Sequence, residues 1–176
     1  MSLQIERPQA TEHSSYYTSY IDRVTEPDVI DVLARQPGEM AKVFGALPPD
    51  RATYRYAPGK WSVAEVLGHL SDGERIFAYR ALRIARGDTT PLPGFEENDY
   101  VPESHCDRRG LSQVLDDFVA VRRATLTLLA GLDASDLARM GTANDTPISV
   151  RALAYILAGH VRHHMGTLRE RYGVGA

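Results

Sequence analysis

Apolar residues recur along most of this chain at three- and four-residue intervals, the spacing of amphipathic helices. Val29, Leu33, Met40, Val43, Phe44 and Leu47 predict a first long helix. Thr25-Glu-Pro-Asp28 reads as its start: Thr25 can cap, Pro27 fits a first turn, and the acids suit the helix dipole. Pro37 should kink or break this helix, because proline lacks an N–H and crowds the preceding turn. Val63, Val66, Leu67, Leu70, Phe77, Ala81 and Ile84 predict a second helix, running to about Arg86. Ser62 with Glu65 three residues on is a capping box, which marks its start. Leu111, Val114, Leu115, Phe118, Val121, Leu128 and Leu132 place a third helix over 111–132. The last carries Leu153, Leu157, Val161 and Leu168; Thr146-Pro147 suits its start and Gly173 its stop.

The intervening stretches read differently. Residues 1–24 have no clear period and suggest an extended arm or short helix packed on the outside. Residues 133–145 are polar and loop-like. Residues 87–109 hold acids, prolines and the aromatics Phe95 and Tyr100 without a period. Connections that long are usually functional or disordered. The stiff Pro91-Leu-Pro-Gly-Phe95 core favours a loop that covers one end of the molecule. Four long helices and no convincing strand predict an all-α four-helix bundle: one domain over 25–176, preceded by the arm.

Composition narrows the function classes. The chain has 176 residues, 24% of them charged, and a net charge of -3. That offers no basic footprint for nucleic acid. Arg80, Arg83 and Arg86 fit a solvated helix face, or one of them could recognise a carboxylate on a thiol substrate. No apolar run approaches the roughly 20 residues of a membrane span, and no signal pattern opens the chain. The single cysteine, Cys106, rules out an internal disulfide and a cysteine-based zinc site. A cytoplasmic protein is the default expectation.

The chemistry gathers in the last helix, which holds His160, His163 and His164. His160 and His164 lie one turn apart on the apolar face. A lone histidine there is usually a hydrogen-bonded core residue. Two stacked imidazoles are costly to bury unless something uses their nitrogens, as a divalent metal would. His69, at the edge of the second helix's stripe, could supply a third ligand. Gly68-His69 and Gly159-His160 echo one another, which suggests close helix approach at both histidines. Three neutral imidazoles leave coordination positions open, whereas structural sites normally close with four ligands. Such a metal lowers the pKa of bound water toward about 7, or deprotonates a bound thiol. Asp72 could orient a ligand or move a proton; it equally fits a solvated helix acid. His105 and Cys106 are neighbours in an irregular segment, which does not make a nucleophile pair. His13 has no identifiable partner.

Trp61-Ser-Val-Ala-Glu65, Gly68-His-Leu-Ser-Asp72, Tyr79 to Gly87 with Pro91 to Phe95, and Gly159-His160 through His163-His164 together resemble the DinB-like family, in particular its YfiT-like branch. The resemblance runs from about Tyr16 to the end of the chain. It implies a divalent metal (nickel, zinc or iron) held by one histidine of the second helix and two of the last. By position these are His69, His160 and His164, with His163 a flanking residue at a dimer surface or the site entrance. Relatives include transferases and isomerases that use small thiols such as bacillithiol or mycothiol. The resemblance therefore implies transfer of a low-molecular-weight thiol to an electrophile, in detoxification or stress. Metal-dependent hydrolysis and a non-catalytic metal- or partner-binding bundle are the alternatives. A homodimer is implied, with no nucleic-acid or membrane partner.

Overall fold

The computed structural model describes residues 4–175. Two 3-10 turns lead into a one-turn helix, α1 (Thr18–Ile21). Then follow α2 (Val29–Gly45), α3 (Val63–Ala85), the short α4 (Glu97–Glu103), α5 (Leu111–Ala130) and the short α6 (Ala134–Leu137). A hairpin of β1 (Met140–Ala143) and β2 (Thr146–Ser149) precedes α7 (Val150–Tyr172). The long helices α2, α3, α5 and α7 make the four-helix bundle, with α3 packed against α5 and α7, and α2 against the same two. The capping box forms as the sequence requires: Ser62 Oγ accepts from Glu65 N, and the Glu65 carboxylate accepts from Ser62 N at 2.8 Å. Gly173, with φ 65°, ends α7 in the left-handed conformation that glycine adopts without strain.

Two apolar clusters fill the interior. One is built on Phe77, Ile84, Leu129, Leu153 and Ile156; the other on Leu67, Leu70, Phe118, Val161 and Leu168. They meet along α3 and α7 at the level of Gly73 and His160.

Several expectations are corrected. α2 begins at Val29, capped by Asp28, whose carboxylate accepts from Ile30 N at 2.9 Å. Thr25 lies outside it. Pro37 does not break the helix, which runs through it to Gly45. The carbonyl left without an amide donor by Pro37, that of Leu33, accepts from Arg122 Nη1 at 3.0 Å instead. The last helix starts at Val150 with Ser149 as its cap, and Thr146-Pro147 belongs to a strand. That hairpin turns on Asn144 and Asp145, both at positive φ (51° and 58°), the geometry of a two-residue turn. The arm packs on the outside of the bundle as short helical turns, most of its residues exposed, but it is anchored: Ile5 and Val24 are wholly buried, and α1 packs on α7. Residues 87–109 contain α4 and a 3-10 turn, and they are pinned to the hairpin. Leu92 N donates to Thr142 O at 2.9 Å, and Asn144 N donates to Leu92 O at 3.0 Å. No helix among the described residues is long and apolar enough to cross a membrane.

Candidate metal centre

α3 and α7 bring three imidazoles to one point. His160 Nε2 lies 3.0 Å from His69 Nε2 and 3.1 Å from His164 Nε2. The potential ligand atoms of His69, His160 and His164 all fall within 4.8 Å of one another. Nitrogens that share a metal at 2.0–2.1 Å, at tetrahedral or octahedral angles, stand about 2.9–3.4 Å apart. The two measured separations fall in that window. A proton on His160 Nε2 can serve one neighbour; a cation serves all three.

Burial sets their charge state. His69 and His160 are 6% and 5% exposed. Desolvation, with repulsion from His163, pushes His69 down to about 4. Desolvation first, then the neighbouring histidines, hold His160 and His164 well below the ordinary imidazole value. All three are neutral near pH 7, the form that ligates.

Glycines make room for this arrangement. A Cβ on Gly73 would lie 2.9 Å from His160 Cε1, so the His160 ring rests directly on α3. The glycine echo has a different cause from the one expected. A Cβ on Gly159 would lie 1.9 Å from the Tyr20 carbonyl oxygen, and one on Gly68 would lie 2.2 Å from Cys106 Sγ. Gly159 therefore receives α1 of the arm and Gly68 the turn at Cys106, while the close approach of the two histidine-bearing helices falls at Gly73. Trp61 stands 4.9 Å from the His69 ring, and Phe77 and Tyr20 lie 5.8 and 5.5 Å from the His160 ring.

The histidines open onto a cavity of about 310 Å³. Tyr16, Tyr17, Tyr20, Trp61, Phe77 and Phe95 form its aromatic wall. Arg80, Asn144, Glu97 and His163 complete the lining, and Glu97 is the one carboxylate among the described residues there. Burial raises the Tyr17 phenol, and the Arg80 guanidinium beside it opposes that shift. Gly94 is required where it stands, since Asn144 Oδ1 lies 2.1 Å from where its Cβ would be.

The other candidates are dispersed. Asp72 is half-buried, stands 3.7 Å from Arg75, and is not among the residues that line the cavity. Burial raises its carboxyl, against the pull of Arg75. His163 lines the cavity, with its ring 5.2 Å from that of Tyr20. Cys106 is buried under Gly68, with its thiol pushed up by burial, so it is a weak nucleophile. His13 Nδ1 sits 2.9 Å from Ser14 O. Of the three helix arginines, Arg80 enters the cavity, Arg83 pairs with Asp88 and Tyr79, and Arg86 is exposed. Asn144 and the tyrosines Tyr17 and Tyr20 were not singled out from sequence. The Asn144-Asp145 pair, suited to a left-handed turn, was the available signal for the first.

Close by lies a second polar group, absent from any sequence expectation. Arg122 Nε and Nη2 donate to both Glu74 oxygens at 2.7 and 2.8 Å. Its Nη1 donates to Gln36 Oε1 at 2.6 Å and to Leu33 O at 3.0 Å. Gln36 Nε2 donates in turn to Ala158 O at 2.8 Å. One network thus ties α2, α3, α5 and α7 together, two residues from His160.

Comparison with known proteins accords with this geometry. A family model for the DinB superfamily matches residues 33–168. YfiT from Bacillus subtilis, described as a probable metal-dependent hydrolase with an unusual four-helix bundle topology, is similar with a TM-score of 0.72 at 19% identity. That match covers 94% of this chain and 93% of the other. The mycothiol-dependent maleylpyruvate isomerase is similar with a TM-score of 0.68 at 8% identity, over 89% of this chain and 64% of the isomerase. At these identities the likeness is one of fold. Among curated proteins, none matches the chain in sequence.

Proposed function

The chain belongs to the DinB superfamily, and from that premise we propose that it is a metal-dependent enzyme that activates a small thiol for transfer to an electrophile. The observation that carries this reading is the convergence of three neutral imidazoles, two buried and one half-buried, at the end of an aromatic cavity. His69, His160 and His164 would hold a divalent ion, nickel, zinc or iron, with positions left open toward the cavity. The ion would supply Lewis acidity that lowers the pKa of a bound nucleophile. The chain's own residues exclude water, through Trp61, Phe77 and the tyrosines, and fix the His160 imidazole against Gly73. The relatives' descriptions support two nucleophiles, a thiol and water. Thiol transfer fits the lining better. A metal deprotonates a bound thiol outright, whereas it lowers bound water only to a pKa of about 7, so hydrolysis gains more from a nearby base; among the described residues the lining's one carboxylate, Glu97, sits on the covering segment rather than on the helices that carry the histidines.

The test is metal content of untagged protein beside His160→Ala. About one equivalent in the native protein is expected, lost in the variant. Protein that neither retains metal nor takes up added zinc, nickel or iron would sink the reading. Metal-loaded protein is then assayed for conjugation of a small thiol to an activated aromatic halide and for hydrolysis of an activated ester. Metal-dependent ester hydrolysis without conjugation would favour the hydrolase.

A further inference from the structure

We propose that Arg80 is the anion-binding residue of the cavity and that the electrophile is an aromatic or unsaturated carboxylic acid. This rests on the cavity being a substrate site, and it names the class of substrate.

Arg80 is 3% exposed. Its Nη2 donates to the Pro93 carbonyl at 2.7 Å, and the Tyr17 hydroxyl lies beside the guanidinium; both partners are neutral. Among the described residues it has no carboxylate within ion-pair distance. Arg83, one turn on, faces outward to Asp88, and Arg122, the other buried arginine, has Glu74. A buried guanidinium needs a compensating charge, because desolvation penalises it and a neutral carbonyl cancels little of that penalty. The cavity can admit that charge from outside.

The surroundings select the kind of anion. Asn144 and the Tyr17 hydroxyl stand with Arg80 in the lining and can donate to a second oxygen. Glu97 also lines the cavity and disfavours an anion of higher charge, so one guanidinium with neutral donors matches the single charge and planar fork of a carboxylate. Arg80 follows His69 by eleven residues on α3, about 16 Å along the axis. Its side chain leans back toward the helix N-terminus, and so toward the histidines. Phe77 lies between: its ring is 5.8 Å from the His160 ring and 5.8 Å from Arg80 Cζ. An acid held at Arg80 would lay a flat body on Phe77 and the tyrosines, with its far end toward the histidines. At about 310 Å³ the cavity suits a small molecule.

The experiment measures binding of trans-cinnamate and its neutral amide by calorimetry, with metal-loaded protein and with chelator-stripped protein. Wild type is expected to prefer the acid about tenfold or more, with and without metal. Arg80→Gln should abolish that preference, and Arg83→Gln should keep it. Equal binding of acid and amide by the wild type overturns the proposal, as does a preference that survives Arg80→Gln. A preference that vanishes on stripping also overturns it, since the acid then sits on the metal and the metal reading stands. A preference that persists in protein unable to bind metal supports the Arg80 subsite while the metal reading fails. Inorganic phosphate is run alongside; displacement of cinnamate at equal concentration overturns the choice of carboxylate. If Arg80→Gln does not fold, Arg80→Lys keeps the charge without the fork and should weaken cinnamate severalfold. Unchanged affinity there counts against the proposal.

Discussion

Arg122 and Arg80 are both buried arginines, 0% and 3% exposed, yet their surroundings are opposite. Arg122 is closed on itself: two Glu74 oxygens, a Gln36 oxygen and the Leu33 carbonyl take its donors. Arg80 has only neutral partners, the Pro93 carbonyl and the Tyr17 hydroxyl, and opens on the cavity that it lines with the three imidazoles. A buried charge compensated inside the chain is architecture. A buried charge left uncompensated beside a cavity is a site that awaits its partner. Burial alone does not separate the two; the count of partners does.

The largest expected effect tests that contrast through stability. Glu74→Ala leaves Arg122 as a lone buried charge and removes the clamp between α3 and α5. It should cost about 3–5 kcal/mol, read from the midpoint of urea unfolding. Arg80→Gln breaks no ion pair, losing only neutral contacts to Pro93, Tyr17 and Phe77, and should fall within about 1 kcal/mol of wild type. Comparable losses at the two positions would erase the distinction.

The contrast also explains what could be read from the sequence. The four helices, the Ser62 and Glu65 cap and the Gly173 stop follow from local rules, and the structure keeps them. His160 and His164 share a face by spacing alone, and the family pattern adds His69. Arg122 was not legible, because its partners Leu33, Gln36 and Glu74 are 89, 86 and 48 positions away. Pro37 was misread for that same reason: the donor that rescues its turn comes from another helix. The hairpin was hidden because Thr146-Pro147 is also a sound helix start. The arm's burial depends on α7 presenting Gly159 to Tyr20, which no period in residues 1–24 could announce.

The arm gives the next prediction. It carries Tyr16, Tyr17 and Tyr20 into the cavity wall, so it belongs to the open side of the comparison. Gly159→Ala puts a methyl 1.9 Å from the Tyr20 carbonyl oxygen, backbone that cannot swing aside as a side-chain tip could. We expect a loss of about 1–3 kcal/mol. We also expect faster proteolytic cleavage within residues 4–24, with metal content retained. Metal loss equal to that of His160→Ala would mean that the arm supports the histidines and not only the wall.

The smallest effect lies at a third arginine, intermediate between the two extremes. Arg151 of α7 pairs with Glu12 of the arm, with side chains 18% and 11% exposed, and reaches Glu6 at 3.2 Å. The Arg151 hydrogen bond, opposed by burial and aided by Ser149 and Gln9, lowers Glu12 from 4.5 to about 2. Because the folded value is depressed, the stabilisation is fully present above pH 4.5. It is lost as pH falls from there through about 2. Solvent at the rim screens the pair, so its share is about 1 kcal/mol rather than the full shift. Unfolding free energies at pH 6 and pH 2.5 should therefore differ more in wild type than in Arg151→Gln, by about that amount. Identical pH dependence in the two proteins would show that Glu12 titrates alike folded and unfolded. Arg151 would then hold the arm by packing, and the arm's place in the cavity wall would rest chiefly on its buried residues Ile5, Tyr17, Ile21 and Val24.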